Sequence, residues 1–150
     1  MSKYHRNKIL ELVSGLDVKH SVHEPVGKSK EVSELRGVPL SSGAKAILVQ
    51  GKKTYKQYLF VVPAHKRLHS KNVQNQIGEK FSFVSDVEKD FDCVPGSVPP
   101  FGRVLGLQTY ADEDLEDVLN FNIGLLTESL QMKKEDYLKL ENPIIGNFTE

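Results

Sequence analysis

A chain of 150 residues is long enough to bury one core and too short for two ordinary domains, so a single domain over 1–150 with one site is expected. Apolar residues at 39% and charged residues at 27% form the mixture of a water-soluble globule, and no run approaches the roughly 18 apolar residues of a membrane helix. Twenty Lys and Arg balance twenty Asp and Glu, which excludes a protein that holds nucleic acid by overall charge alone; any RNA partner has to be gripped locally.

From the start of the chain, Ile9, Leu10, Leu12, Val13 and Leu16 recur at helical spacing, with Gly15 as a stop signal, so one amphipathic helix is predicted over about 4–16. Its alternation of charged and apolar residues is not a signal-peptide core, and the expected location is cytoplasmic. His20–Glu24 reads as a short strand ended by Pro25. Ser29 can cap a short helix through Leu35 that stops at Gly37, before a turn at Pro39.

Ala44–Gln50 and Tyr55–Val62 are rich in β-branched, aliphatic and aromatic residues and are separated by Gly51-Lys52-Lys53-Thr54, which predicts an antiparallel hairpin closed by Pro63 and Ala64. Ser70 is the expected cap of a helix ending near Gly78. Phe81–Val84 reads as a strand, and Ser85 opens a short helix to about Phe91. Cys93–Gly102 (CVPGSVPPFG) holds three prolines and two glycines in ten residues, so it is an ordered irregular loop. Arg103–Tyr110, Val118–Asn122 and Thr127–Met132 read as strands, and Lys133–Leu140 as a helix before Asn142-Pro143. Strands interleaved with short helices give an α/β (α+β) fold with a mixed, largely antiparallel sheet.

Chemistry has few footholds in this pattern. Cys93 is the only cysteine, which excludes an internal disulfide and a multi-thiolate zinc site. A lone cysteine beside a proline loop is more often a small packing residue than a nucleophile. His65 and His69 share a helical spacing, but Lys66 and Arg67 oppose a cation there, so solvated histidines are expected rather than a metal site. His23 is expected to tether a strand edge. Lys45 stands at the start of an apolar strand, either snorkelling to water or serving as a cationic anchor at a cavity mouth for phosphate or ribose. The 93–102 loop is either a rigid connector, including a cis-proline turn, or a binding loop in which Gly96 allows close backbone approach while Pro99 and Pro100 stiffen the chain.

Taken together, His23-Glu24-Pro25-Val26, Glu34-Leu35-Arg36-Gly37-Val38-Pro39-Leu40, Gly43-Ala44-Lys45 and CVPGSVPPFG resemble the YbaK/prolyl-tRNA-synthetase-associated editing domain. Phe121-Asn122-Ile123-Gly124, Ser129-Leu130-Gln131-Met132 and Asn142-Pro143-Ile144-Ile145-Gly146-Asn147-Phe148 resemble its closing strands and C-terminal signature. The likeness covers roughly 20–148. Its most specific element is the family's G-x-x-x-P loop, here Gly96-Ser97-Val98-Pro99-Pro100, paired with the lysine that maps to Lys45.

The resemblance implies a compact mixed sheet or partial barrel surrounded by short helices. It also implies hydrolysis of the ester that joins a mischarged amino acid to the 3′ end of tRNA, by positioned water and without a covalent nucleophile, metal or cofactor. On that basis Lys45 and Gly96 are the expected catalytic positions, Lys45 meeting phosphate or ribose. Ser97, Val98, Pro99, Pro100, Phe101 and Gly102 are the expected substrate contacts, and Thr127 and Ser129 either add side-chain hydroxyls near the pocket or simply pack in an alternating strand. The implied partner is aminoacyl-tRNA, with prolyl-tRNA synthetase in cis or in trans, and neither DNA nor membrane. Ala-tRNA(Pro) is the expected substrate and Cys-tRNA(Pro) its rival, because a small cavity admits alanine and excludes the proline ring. Branches of the family differ at the residue after the lysine, which is Ala46 here, and in the segment Leu125–Ser129, where some carry a histidine.

Two other classes of function compete. In the first, the chain is a non-catalytic tRNA-binding or docking domain of a prolyl-tRNA synthetase, using Lys52, Lys53, Lys56, Lys66, Arg67 and Lys71 as its surface. In the second, the pocket senses a free amino acid or nucleotide, a reading with no motif behind it.

Overall fold

The computed structural model describes residues 3–25 and 37–150; the predicted helix Ser29–Leu35 lies outside them. Helix α1 (Lys3–Leu12) leads to β1 (Val18–Val22), and a 3-10 turn at Leu40–Ser42 opens the hairpin of β2 (Ala44–Gly51) and β3 (Gln57–Pro63). Then follow α2 (Ser70–Ile77), β4 (Phe81–Phe83), α3 (Val87–Phe91), α4 (Gly102–Leu105), β5 (Thr109–Asp112), β6 (Val118–Asn122), β7 (Glu128–Lys133), α5 (Lys134–Glu141) and β8 (Ile144–Gly146).

The described strands form two open sheets, one of three strands ordered β1-β7-β6 and one of five ordered β4-β2-β3-β5-β8. The three-stranded sheet is antiparallel throughout. The five-stranded sheet is antiparallel from β4 to β3 and parallel from β3 to β8. The hairpin forms because both runs are apolar on successive residues and a polar turn separates them, so the sheet can be covered on both faces. Leu48, Leu59, Val61 and Ala111 turn to one face and meet α1, β6, β7 and α5 in the larger core. Val49, Tyr58, Phe60, Val62 and Tyr110 turn to the other, where Val73 of α2 and Phe148 seal them. Stacked and edge-to-face rings of Phe60, Tyr110 and Phe148, with centroids 4.8 to 6.0 Å apart, fill that second layer.

Several local expectations are corrected by tertiary contacts. Arg103–Tyr110 is not one strand: Gly102–Leu105 is helical, Gly106 at φ 75° closes it, and the strand begins at Thr109. Gly102 packs so closely that a Cβ there would collide with the Thr109 hydroxyl and the Leu107 carbonyl, and its N–H donates to Thr109 Oγ1 at 2.9 Å. The first helix ends at Leu12, and β1 sits two residues earlier than expected. Ser70 is the first residue of α2; its cap is His69, whose Nδ1 accepts from the Asn72 N–H at 3.2 Å. His69 is therefore half-buried and structural rather than solvated, whereas His65 is exposed.

Candidate functional site

The two sheets meet edge to edge. Gly43, just before β2, bridges to Asn120 of β6, and beyond that bridge the two strands diverge. A cavity of about 660 Å³ fills the gap, walled by β2, β6, the segment after β4 and the loop that precedes α4. Ala44, Ala46, Leu48, Val84, Val87 and Phe121 make it largely apolar. Lys45, Gly96, Asn120 and Asn122 bring polar groups to the same space.

Lys45 is half-buried, and its ammonium donates to the Lys66 carbonyl at 2.9 Å. Burial and the neighbouring positive charge of Arg67 hold its pKa below the ordinary lysine value. An anion placed there would offset both penalties by direct attraction to the ammonium.

The loop that carries Gly96 is held from three sides. Gly96 takes φ 90°, a conformation glycine adopts without strain. Its carbonyl accepts from Asn122 Nδ2 at 3.0 Å. Gly124 N donates to the Ser97 carbonyl at 3.0 Å, and the buried Tyr137 hydroxyl donates to the Pro100 carbonyl at 2.5 Å. No peptide bond of the described chain is cis.

Of the sequence-predicted positions, Lys45, Gly96 and Val98 line the cavity together. The others do not form its wall. Ser97 is buried with its hydroxyl turned back to the Val94 carbonyl at 2.8 Å. Pro99 and Pro100 are buried within the loop, Phe101 is a core residue packed edge-to-face on Phe121 and Tyr137, and Gly102 starts α4. Thr127 is half-buried in the β6–β7 turn, where its carbonyl accepts from His23 N at 2.8 Å.

Ser129 stands one layer back. Its hydroxyl donates to Asn122 Oδ1 at 2.9 Å and hydrogen-bonds His23 Nε2 at 2.7 Å, so it steadies a side chain of the wall instead of forming it. Asn120 and Asn122 escaped the sequence reading, although Asn122 lies within a quoted family signature. Phe83, 63% exposed on the cavity rim, escaped because its local context reads only as strand.

No side-chain nucleophile with a base faces this space among the described residues. Cys93 is buried, and burial, followed by the adjacent Asp92 carboxylate, pushes its thiol up to about 11. No described imidazole lines the cavity, and no described cluster of His, Cys, Asp and Glu could hold a metal ion. No described helix is long and apolar enough to cross a membrane. Among the described residues the cavity offers desolvation, one cation, two carboxamides and fixed backbone dipoles, which suits an already reactive bond attacked by water.

Comparison with known proteins points the same way. The sequence profile of the aminoacyl-tRNA editing domain matches residues 23–140. The multifunctional Ser/Thr-tRNA deacylase ProXp-y from two strains of Escherichia coli is 34% identical over 151 aligned positions, covering 94% of this chain and 90% of the relative. Among solved structures, a proposed trans-editing enzyme for prolyl tRNA synthetase superposes with a TM-score of 0.84 at 22% identity, over 100% of this chain and 99% of the other. The chain belongs to the aminoacyl-tRNA editing domain family and is an aminoacyl-tRNA hydrolase.

Proposed function

We propose that the chain removes a small hydroxyl-bearing amino acid, serine or threonine, from the 3′ end of mischarged tRNA. The reading is supported chiefly by the meeting of Lys45 and Gly96 across one largely apolar cavity, in a chain whose 34% identical relative is named a Ser/Thr-tRNA deacylase. In this reading the Lys45 ammonium leaves the Lys66 carbonyl for a phosphate or ribose oxygen of the terminal nucleotide, where a desolvated cation gains most. The Gly96 loop presses its backbone against the aminoacyl-adenosine. Water adds to the ester carbonyl, the bond to the ribose oxygen breaks, and the free amino acid and tRNA with its hydroxyl restored depart. Val98 and the aliphatic wall limit side-chain size, and the Asn120 side-chain carbonyl oxygen, which accepts from Gln131 at 3.2 Å, has a second lone pair for a substrate hydroxyl.

Alanine is the second reading, favoured by the apolar majority of the wall; cysteine falls behind it. Prolyl-tRNA synthetase remains the synthetase whose errors, or whose company, the family resemblance suggests. The test is release of labelled amino acid from Ser-, Thr-, Ala- and Cys-charged tRNA beside Pro-tRNA(Pro). Fastest release from Ser- or Thr-tRNA is expected, with Pro-tRNA(Pro) spared. Tight, salt-sensitive tRNA binding with no ester cleavage from any member would replace the proposal with the docking-domain alternative.

A further inference from the structure

Strand β2 is longer than the strand that covers its outer edge. β4 pairs only with Val49–Gly51, and one further bond, from Val84 N to the Leu48 carbonyl at 3.0 Å, extends that cover. At the opposite end Gly43 bridges to Asn120. The stretch between the two covers is open, and it is the stretch that forms the cavity wall.

The register decides which backbone groups face that opening. Ala64 N donates to the Gly43 carbonyl at 2.8 Å and Gly51 N to the Lys56 carbonyl at 2.9 Å. Carried along the β2–β3 ladder, these bonds turn odd-numbered residues of β2 toward β3 and even-numbered residues away from it. Leu48 uses its outward carbonyl for Val84, and Gln50 stands opposite Ser82 of β4. Ala46 also points outward, and no described residue donates to its carbonyl or accepts from its N–H. A strand-edge donor and acceptor, side by side, therefore face the cavity from a position where nearly every backbone group is otherwise paired.

We propose that the Ala46 main chain is the amino-acid recognition element of this site, its N–H donating to the ester carbonyl oxygen and its C=O accepting from the substrate's α-ammonium. The proposal deepens the deacylase reading above and rests on it. An aminoacyl ester presents one donor and one acceptor at the spacing of a single extended residue, so it docks on Ala46 as the missing partner of a hydrogen-bonded antiparallel pair. Recognition then falls on the part all amino acids share, and selection by size is left to the cavity walls. The Ala46 N–H is aimed at the carbonyl oxygen that gains negative charge as water adds, where a fixed donor counts most. A main-chain contact also removes any need for a polar side chain at this position.

Ala46→Pro deletes this N–H while leaving the β2–β3 ladder bonds in place, since proline is tolerated where a strand's N–H faces an open edge. With Ser-tRNA or Thr-tRNA, kcat is expected to fall about 100-fold, the scale of losing one oxyanion donor, with KM for the tRNA little changed and the thermal melt retained. A folded variant with wild-type kcat overturns the proposal. A second arm does not depend on that variant folding: the wild-type chain is given tRNA acylated with the α-hydroxy acid made by deaminating the charged amino acid. Loss of the ammonium is expected to lower kcat/KM by at least about tenfold, the factor of a charged hydrogen bond; equal turnover of the two esters overturns the proposal by itself. A wild-type chain that cleaves no charged tRNA overturns the deacylase reading and this inference together, whereas active wild type with an indifferent Ala46→Pro sinks this inference alone.

Discussion

Lys45 is expected to have opposite consequences for stability and for turnover. Its folded-state pKa is lowered by burial and by Arg67, so the folded chain disfavours the ammonium relative to the unfolded chain. A depressed folded pKa contributes stability that is present above the unfolded value and lost as pH falls through the folded one. At neutral pH the residue is therefore a stability cost. Lys45→Met is expected to raise the melting temperature at pH 7, to lose that advantage above the ordinary lysine pKa, and to slow ester release by tenfold or more, on the order of one charge-assisted contact. A melt and a labelled-ester assay on the same preparation check both signs; unchanged turnover removes Lys45 from the site. Cys93 is the contrary case. A thiol buried in the fold with its pKa at about 11 is almost wholly protonated at pH 8, so iodoacetamide is expected to leave the folded chain unlabelled until denaturant is added, and Cys93→Ala to keep full activity.

At the scale of the element, the 93–101 loop is no better fixed than the helix behind it. The Tyr137 hydroxyl on α5 holds the Pro100 carbonyl at 2.5 Å in a fully buried setting. Tyr137→Phe leaves that carbonyl without its donor and is expected to cost about 1 to 3 kcal/mol of stability, with a fall in kcat as Gly96 loosens, measured by chemical denaturation and single-turnover hydrolysis. On the same helix Glu141 accepts from the Thr109 hydroxyl at 2.6 Å, yet its other carboxylate oxygen is buried with no described partner. Burial raises its pKa above the usual carboxylate value, only partly offset by that hydrogen bond. A raised folded pKa means the contribution is complete below the unfolded value of 4.5 and declines as pH rises through the folded one. Glu141→Gln is accordingly expected to stabilise at pH 8 and to make no difference at pH 4, read from melts at the two pH values.

Elements like these also mark how far the sequence could be read. The β2–β3 hairpin was legible because two continuous apolar runs and a Gly-Lys-Lys-Thr turn agree on one answer. Gly102–Leu105 was not, since Arg103–Tyr110 alternates well enough for a strand. Its correction comes from the Gly102–Thr109 contact, although Gly106 at a helix C-terminus was an available clue. Lys45, Gly96 and Val98 were visible as a motif pair. The open edge at Ala46 and the carboxamides of Asn120 and Asn122 were not, because they depend on which strands pair and where the pairing stops, and no local pattern encodes that.

On the scale of the whole molecule, the balanced charge limits how much of a tRNA the chain can hold. Twenty basic and twenty acidic side chains cancel, and several of the former are already paired, with Lys66 on Asp114 at 2.6 Å and Lys134 near Asp117 at 3.6 Å. A second hollow, on the far side of Asn120, is rimmed by Asp114, Glu116 and Asp117, a surface that repels phosphate. Productive contact is therefore expected at the mouth near Lys45, with the substrate read from its acylated end. An acceptor-stem minihelix is expected to match full-length tRNA in kcat/KM within about tenfold, the size of a few residual contacts. Raising salt from about 50 to 200 mM is expected to lower kcat/KM less than about tenfold, as for one or two single-strand phosphate contacts, not the roughly thousandfold or more of an extensive interface. Initial rates on both substrates across a salt series decide the matter, and a steep slope with an inert minihelix would mean that the tRNA body is bound elsewhere on this surface.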